Sequence, residues 1–341
     1  MAHPFLVKDI AFQAGLSTAT VDRVLNDRPG VRRQTAARVQ AAIRELEKQQ
    51  SVSEILGQKR AIDIVMEAPE RFTEAVRQAF ETEAPTFMPT TFRCRFHFAE
   101  TMRPHDIAQL LDRIRLRGTD GVVLKAPDVP EIIGAVARLE QTGIAVITLV
   151  TDLPNSARSA YAGADNRAAG ETAAYLVGER FAGQAATVLV TISSSRFRGE
   201  EEREIGFRRV LREHYPAIRI VEISEGYGRD AETGVLAAKA LAADADINAA
   251  YSIGGGNHAV LAAFERLGRD CALFIAHDLD QDNLVLLRQR RIHFVLHHDL
   301  RSDARTTFRA ILARRNGAGQ KLGGSRLSAV EVITPYNVPV A

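Results

Sequence analysis

Thr18, Ala19, Asp22 and Arg23 fall on one face of a short helix whose opposite face carries Val21, Val24 and Leu25. An arginine so presented can pair bidentately with guanine O6 and N7, and a carboxylate can accept from a cytosine amino group. Ser17, just before the helix, is a good N-cap, and Gly15 can turn the chain. Upstream, Val7, Ile10, Ala11 and Ala14 recur at helical spacing. Two short helices joined by a glycine-containing turn make a helix-turn-helix, whose second helix can enter a DNA major groove. The same pattern also fits an ordinary helical hairpin.

A second group of residues could bind a polar small molecule. Asp278 directly follows the apolar run ALFIAH, where a carboxylate at a strand's carboxyl end can accept hydrogen bonds from two hydroxyls. Asn257 follows the glycine triplet 254–256 before a helix, and its amide could bond a hydroxyl. Phe72, after the first strand, could stack on the apolar face of a pyranose ring or pack in the core. Asp165 opens a helix and could cap it or contact a ligand. A glycine-rich strand-to-helix turn can also receive phosphate. However, neither G-x-G-x-x-G nor G-x-x-x-x-G-K spacing is present. Nine histidines show no zinc-ligand spacing, and no motif proposes a nucleophile with its base, so neither a metal site, a cofactor nor an enzyme is expected.

These residues need particular elements to place them. After a turn-rich loop at 26–30, the periodicity of Ala36, Val39, Ile43 and Leu46 predicts a third helix from about Arg33 to Lys48. Residues 1–48 thus read as a three-helix headpiece, and the polar stretch 49–60 as a linker. From 61 to 341, short apolar runs (AIDIVM, GVVLKA, IAVITLV) alternate with amphipathic helices, and a second such set begins near residue 186. That alternation predicts an α/β fold of two lobes with doubly wound parallel sheets, a ligand lying in the cleft between them.

Composition agrees with a soluble globular protein: 341 residues, 46% hydrophobic, 25% charged, and a net charge of +2. A nucleic-acid surface must therefore be local; the first 48 residues hold eight Lys/Arg against five Asp/Glu. Cys94 and Cys271 are read as free thiols of a reducing compartment. With neither a secretory signal nor a bilayer-length apolar run in the sequence, a cytoplasmic protein without membrane association is expected.

The wording is more specific than the patterns. DIAFQAGLSTATVDRVLND followed by GVRRQTAARVQAAIREL resembles the headpiece of the LacI/GalR family of transcriptional regulators over residues 5 to about 46. The phrases TDGVVLKAPD, GIAVITL, AGADNRAAGETAAYLV, EREIGF and IAHDLD, scattered over roughly 61–335, resemble its effector domain, which has the periplasmic sugar-binding-protein fold.

The resemblance implies base reading by Thr18, Ala19, Asp22 and Arg23, with Arg23 on a base or a phosphate and Asp22 on a cytosine or orienting Arg23. It implies phosphate or sugar contacts from Ser17, Thr20, Asn26, Arg32 and Arg33. Leu56 lies where the family's hinge helix inserts a leucine into the minor groove, although the usual Tyr-x-Pro-Asn lead-in is missing and a plain tether is the alternative. In the cleft it implies an effector-binding role for Arg203, otherwise a solvated charge in GEEERE. His298 stands at a position often occupied by glutamine in sugar binders.

The expectation is a sequence-specific DNA-binding regulator, a homodimeric repressor on a palindromic operator, controlled by a sugar or polyol. The alternatives are a sugar-binding module without regulation and an α/β enzyme fused to a DNA-binding domain.

Overall fold

The computed structural model describes residues 5–26, 28–55, 58–315 and 327–339, with side chains described for 5–26, 28–46, 58–314 and 327–339. Two compact units are distinguished, Met1–Lys59 with Phe87–Thr91, and Arg60–Thr86 with Phe92–Ala341.

The first unit holds α1 (Val7–Ala14), α2 (Thr18–Leu25) and α3 (Arg33–Ile55). Gly15 ends α1 in the left-handed conformation, φ 61°, which costs glycine nothing. Arg38 of α3 donates to the Ala14 carbonyl at 2.8 Å, satisfying a free acceptor at that helix end. Ile10, Ala11, Ala14, Val21, Val39, Ala42 and Ile43 form the small core. The helix predicted to end near Lys48 continues through Ile55, because 49–55 contains no Gly or Pro to stop it. Residues 49–55 of the expected linker are therefore helical, and Leu56 lies outside the described residues.

The second unit contains two sheets. The first has the order β2 (Thr91–Ala99), β1 (Lys59–Glu67), β3 (Gly121–Lys125), β4 (Ala145–Leu149), β5 (Ala160–Ala162). The second runs β11 (Glu331–Ile333), β10 (Phe294–His297), β9 (Leu273–His277), β8 (Ile247–Ser252), β6 (Ala186–Thr191), β7 (Ile218–Ile223). The pairs β1–β3, β3–β4 and β4–β5 are parallel, as are β7–β6, β6–β8, β8–β9 and β9–β10; β11 joins antiparallel. The interior strands are buried along nearly their whole length, as strands covered on both faces must be.

The lobes are not consecutive halves. Helix α7 (Asn166–Phe181), upstream of the expected division at 186, packs on α8 (Arg198–His214) of the second lobe. Near the C-terminus α12 (Leu300–Arg315) returns to the first lobe, against α4 (Glu70–Glu83), β4 and β5, before β11 rejoins the second sheet. Reading the apolar runs in order misses these returns, since β5 and β11 are only three residues long. Among the described residues no helix is long and apolar enough to cross a membrane.

Candidate functional site

On α2 the residues expected at DNA share one accessible face. Thr18, Ala19 and Arg23 are exposed, Asp22 is half-buried, and Val21 is fully buried beneath them. Ser17 caps the helix, accepting from the Thr20 amide at 3.2 Å, and its hydroxyl also bonds that of Thr20 at 2.8 Å. Asp22 does not orient Arg23. Its carboxylate accepts from the Asn26 amide at 2.8 Å and pairs with Arg28 at 3.3 Å, so it is engaged away from Arg23. Arg32 and Arg33 are exposed at the start of α3.

The other candidate site is a cavity between the lobes of the second unit, about 790 Å³ including its open mouth. It lies at the carboxyl ends of β1, β3, β6, β8 and β9, where parallel strands leave their loops. Of the six residues expected to bind a ligand, Phe72, Arg203 and Asp278 line it.

Asp278 leaves β9 with φ 64°, a strained conformation for a residue other than glycine. Three hydrogen bonds hold it: its amide donates to Leu296 O at 2.9 Å, and the Asn283 side chain donates to the carbonyls of His277 (2.9 Å) and Asp278 (2.7 Å). Asn257 donates to Asn283 Oδ1 at 2.6 Å. Asn257 is thus absent from the wall; it stands behind the residue that pins Asp278.

Arg203 is 5% exposed, and its placement comes from a close crossing of α7 and α8. A Cβ on Gly170 would fall 1.8 Å from the Arg203 carbonyl oxygen, and one on Gly206 would fall 2.3 Å from that of Arg167. Only glycine lets the helices meet there. The Arg203 Nε then donates to Asn166 Oδ1 at 2.8 Å, while Asn166 itself donates to Val150 O. Asp165 is exposed, caps α7 by accepting from the Ala168 amide at 3.0 Å, and does not line the cavity. Its neighbour Asn166 does the positioning.

His298 is buried behind the wall. One ring nitrogen bonds Asp303 at 2.8 Å and the other lies 3.6 Å from Asp278. Burial, the largest influence, disfavours its protonation, but the Asp303 hydrogen bond and the charges of Asp303 and Asp278 outweigh it and raise its pKa. His277, bonded to the Tyr251 hydroxyl at 2.7 Å, goes the other way: burial, then Arg203 and His298, hold it neutral.

Several wall residues were not singled out from the sequence. Lys125, the last residue of β3, is half-buried with its ammonium 3.9 Å from the Phe197 ring centre and 2.9 Å from the Glu67 carbonyl. Burial lowers its pKa, against the opposing pull of Glu200 and Glu67. Glu67, the last residue of β1, has its carboxyl pKa raised by burial and lowered less by Arg196 and Lys125. Two ion pairs cross between lobes: Arg196 to Glu67 at 2.7 Å and Arg71 to Asp280 at 3.0 Å. Asp280 also caps α11 (Gln281–Arg288), yet burial pushes its pKa to about 6. A charged residue closing an apolar strand was the available signal, the same one that marks Asp278. Among the described residues no group of three or more His, Cys, Asp or Glu could hold a metal ion.

Comparison with known proteins identifies both domains. Residues 6–48 match the model for bacterial regulatory proteins of the lacI family, and residues 64–319 match that for a periplasmic binding protein domain. No curated protein sequence matches the chain. Among solved structures, the glucose-galactose binding protein GanP from Geobacillus stearothermophilus superposes with a TM-score of 0.71 at 20% identity, covering 83% of this chain and 100% of its own. A solute binding protein from Burkholderia graminis in complex with D-arabinose gives 0.71 at 20%, covering 82% and 96%. One from Actinobacillus succinogenes with bound D-allose gives 0.69 at 17%, covering 81% and 98%. At such identities the structures share a fold. The two domain matches carry the assignment: the chain belongs to the LacI/GalR family of DNA-binding transcriptional regulators, with a periplasmic-binding-protein domain following its helix-turn-helix headpiece.

Proposed function

We propose that this regulator is a cytoplasmic homodimeric repressor whose grip on a palindromic operator is set by a neutral sugar or polyol bound between its lobes. One observation carries the choice of effector: cations and anions are interleaved around a single cavity. Lys125 and Phe72 of the first lobe face Arg203 and Asp278 of the second, with Glu200 and Glu67 close enough to Lys125 to offset its charge. The wall sets Arg71, Lys125 and Arg203 against Glu67, Glu100, Glu200, Asp278 and Asp280, an acidic excess that disfavours an anionic ligand. It suits hydroxyl groups, each of which donates to a carboxylate while accepting from a cation. The solved relatives named above, described with glucose-galactose, D-arabinose and D-allose, support the same chemical class.

In this reading Arg203 and Asp278 grip adjacent hydroxyls, Phe72 covers an apolar sugar face, and His298 steadies Asp278 from behind. Ser17, Thr18, Ala19, Thr20, Asp22, Arg23, Asn26, Arg32 and Arg33 meet the DNA, and Leu56 wedges the minor groove. Because a headpiece reads one half-site, two-fold pairing supplies the second. The ligand acts through its different affinities for two arrangements of the lobes.

The test is calorimetric titration of the full chain with neutral sugars, run beside operator gel shifts with and without the sugar that binds. Saturable binding without product, accompanied by a changed operator affinity, is expected. Turnover of the sugar would replace the regulator by an enzyme fused to a DNA-binding domain. Binding that leaves operator affinity untouched would indicate a sugar-binding module without regulation.

A further inference from the structure

Glu67 ends β1 at the floor of the cavity and is 2% exposed. One carboxyl oxygen, Oε1, accepts from Arg196 of the other lobe at 2.7 Å. The other, Oε2, is buried and accepts no well-formed hydrogen bond among the described residues, although the Met102 amide is near enough to the carboxyl group to lower its pKa. An unpartnered carboxylate oxygen at such depth is costly unless something donates to it. Among the described residues no side chain donates to Oε2: Lys125 directs its ammonium at the Glu67 backbone carbonyl, and Arg71 pairs with Asp280.

We infer that Glu67 is a ligand-binding residue: the effector donates a hydrogen bond, from a hydroxyl or an ammonium group, to Oε2, while Oε1 holds Arg196. The inference rests on the effector-cleft reading and adds to it a specificity, for a ligand with a donor at this position, and a coupling. A single carboxylate touches both the ligand and the opposite lobe. Filling Oε2 also fixes the plane of the carboxyl group, and with it the direction in which Oε1 meets Arg196. Ligands presenting an anion there, such as a sugar acid or phosphate, meet the carboxylate head-on and are rejected.

The experiment uses the full chain and calorimetric titration with D-arabinose, D-allose, D-glucose, D-galactose and D-glucosamine. For the compound that binds wild type most tightly, Glu67→Gln should weaken affinity about 10- to 100-fold, the worth of a hydrogen bond to a charged group. A set of its deoxy forms should contain one, or for an amine its deaminated form, that loses comparably in wild type but nothing further in Glu67→Gln. That pairing is a double-mutant cycle between protein and ligand. Arg196→Ala, which leaves both Glu67 oxygens, should keep the same deoxy sensitivity. Thermal melting of unliganded Glu67→Gln checks its fold, and Glu67→Asp, which withdraws the oxygen, replaces it if melting is abolished.

Wild-type affinity in a folded Glu67 variant overturns the inference. So does an Arg196→Ala loss equal to that of Glu67→Gln with no deoxy form sensitive to Glu67, since the residue would then be a lobe latch alone. A wild-type chain that binds none of the five compounds removes the effector reading, and the inference with it.

Discussion

The carboxylate of Asp278 stands 3.6 Å from a ring nitrogen of His298, whose other nitrogen bonds the buried Asp303 at 2.8 Å. Asp278 is therefore restrained at its side chain by His298 and at its backbone by Asn283, which donates to the carbonyls of residues 277 and 278. A residue in the left-handed conformation keeps it only when its surroundings demand it. Such a carboxylate is held at the cavity wall before any ligand arrives, so binding would not have to order it.

Asp278→Asn should lower affinity for the effector at least about tenfold, since a hydrogen bond to a charged acceptor becomes one to a neutral amide. Operator binding without ligand should stay at the wild-type level in a gel shift. Retained ligand affinity would remove Asp278 from the site.

His298 supplies a pH signature. Its folded-state pKa is raised by Asp303 and Asp278 above the ordinary value near 6.5. The protonated form is thus favoured by folding, and its stabilisation is complete below about pH 6.5 and lost as pH rises through the folded value. Melting temperatures of the wild type should fall over that upper range more steeply than those of His298→Gln. Equal slopes for the two proteins would count against a charged His298.

Asp280 acts in a lower window and in the same protonation sense, its folded form again holding the proton longer. Burial raises its pKa to about 6, despite the Asn283 amide and Arg71, against about 3.9 in an unfolded chain. Between those values the folded state holds more protons than the unfolded, so stability declines as pH rises from about 4 to about 6. Asp280→Asn should flatten that part of the stability–pH curve, as read by urea midpoints at half-unit steps.

Gly170→Ala inserts a methyl group where the Arg203 carbonyl already sits. Overpacking of this kind costs about 1–3 kcal/mol. Separation of the helices also withdraws Arg203 from Asn166. Denaturant unfolding should show the loss, and calorimetry should show weakened ligand binding; Ala at Gly183, which has open space but φ 81°, gives a control for backbone strain without the clash.

Arg23 is exposed on α2 with its neighbour Asp22 engaged elsewhere, so it should be free to read a base. Arg23→Ala should cost about 1–3 kcal/mol of discrimination at one operator position. Selection from random DNA would reveal this as relaxed preference at a single base pair. A uniform loss across all positions would make Arg23 a phosphate contact.

Much of this was legible before any fold was known. Local signals wrote the headpiece: the periodicity of Ile10, Ala11 and Ala14, the Gly15 turn, the Ser17 cap. The place of Asp278 at the cavity was readable because a strand-exit carboxylate in an α/β protein lies at the mouth of the cleft. Lys125 and Glu67 obey the same rule but escaped, since each closes an apolar run and passes for its last polar boundary. Asn257 and Asp165 show the converse. An amide or carboxylate at a helix start serves its own helix or a neighbouring loop as readily as a ligand, and spacing along the chain does not distinguish them. The return of α12 to the first lobe was hidden because strands of three residues leave almost no periodicity to read.

The bonds around Asp278 bear on how such a cleft could change its diet. On the second lobe two cavity-facing groups are tied to others, Arg203 to Asn166, and Asp278 to Asn283 and through it Asn257. Altering any one of them strands its partner, so new preferences would have to arise in several steps at once. Lys125 and Phe72, on the opposite wall, reach the cavity with fewer dependants. A lineage of such regulators acquiring new effectors would therefore drift first on the wall of the first lobe, while the second kept the grip inherited from its ancestors.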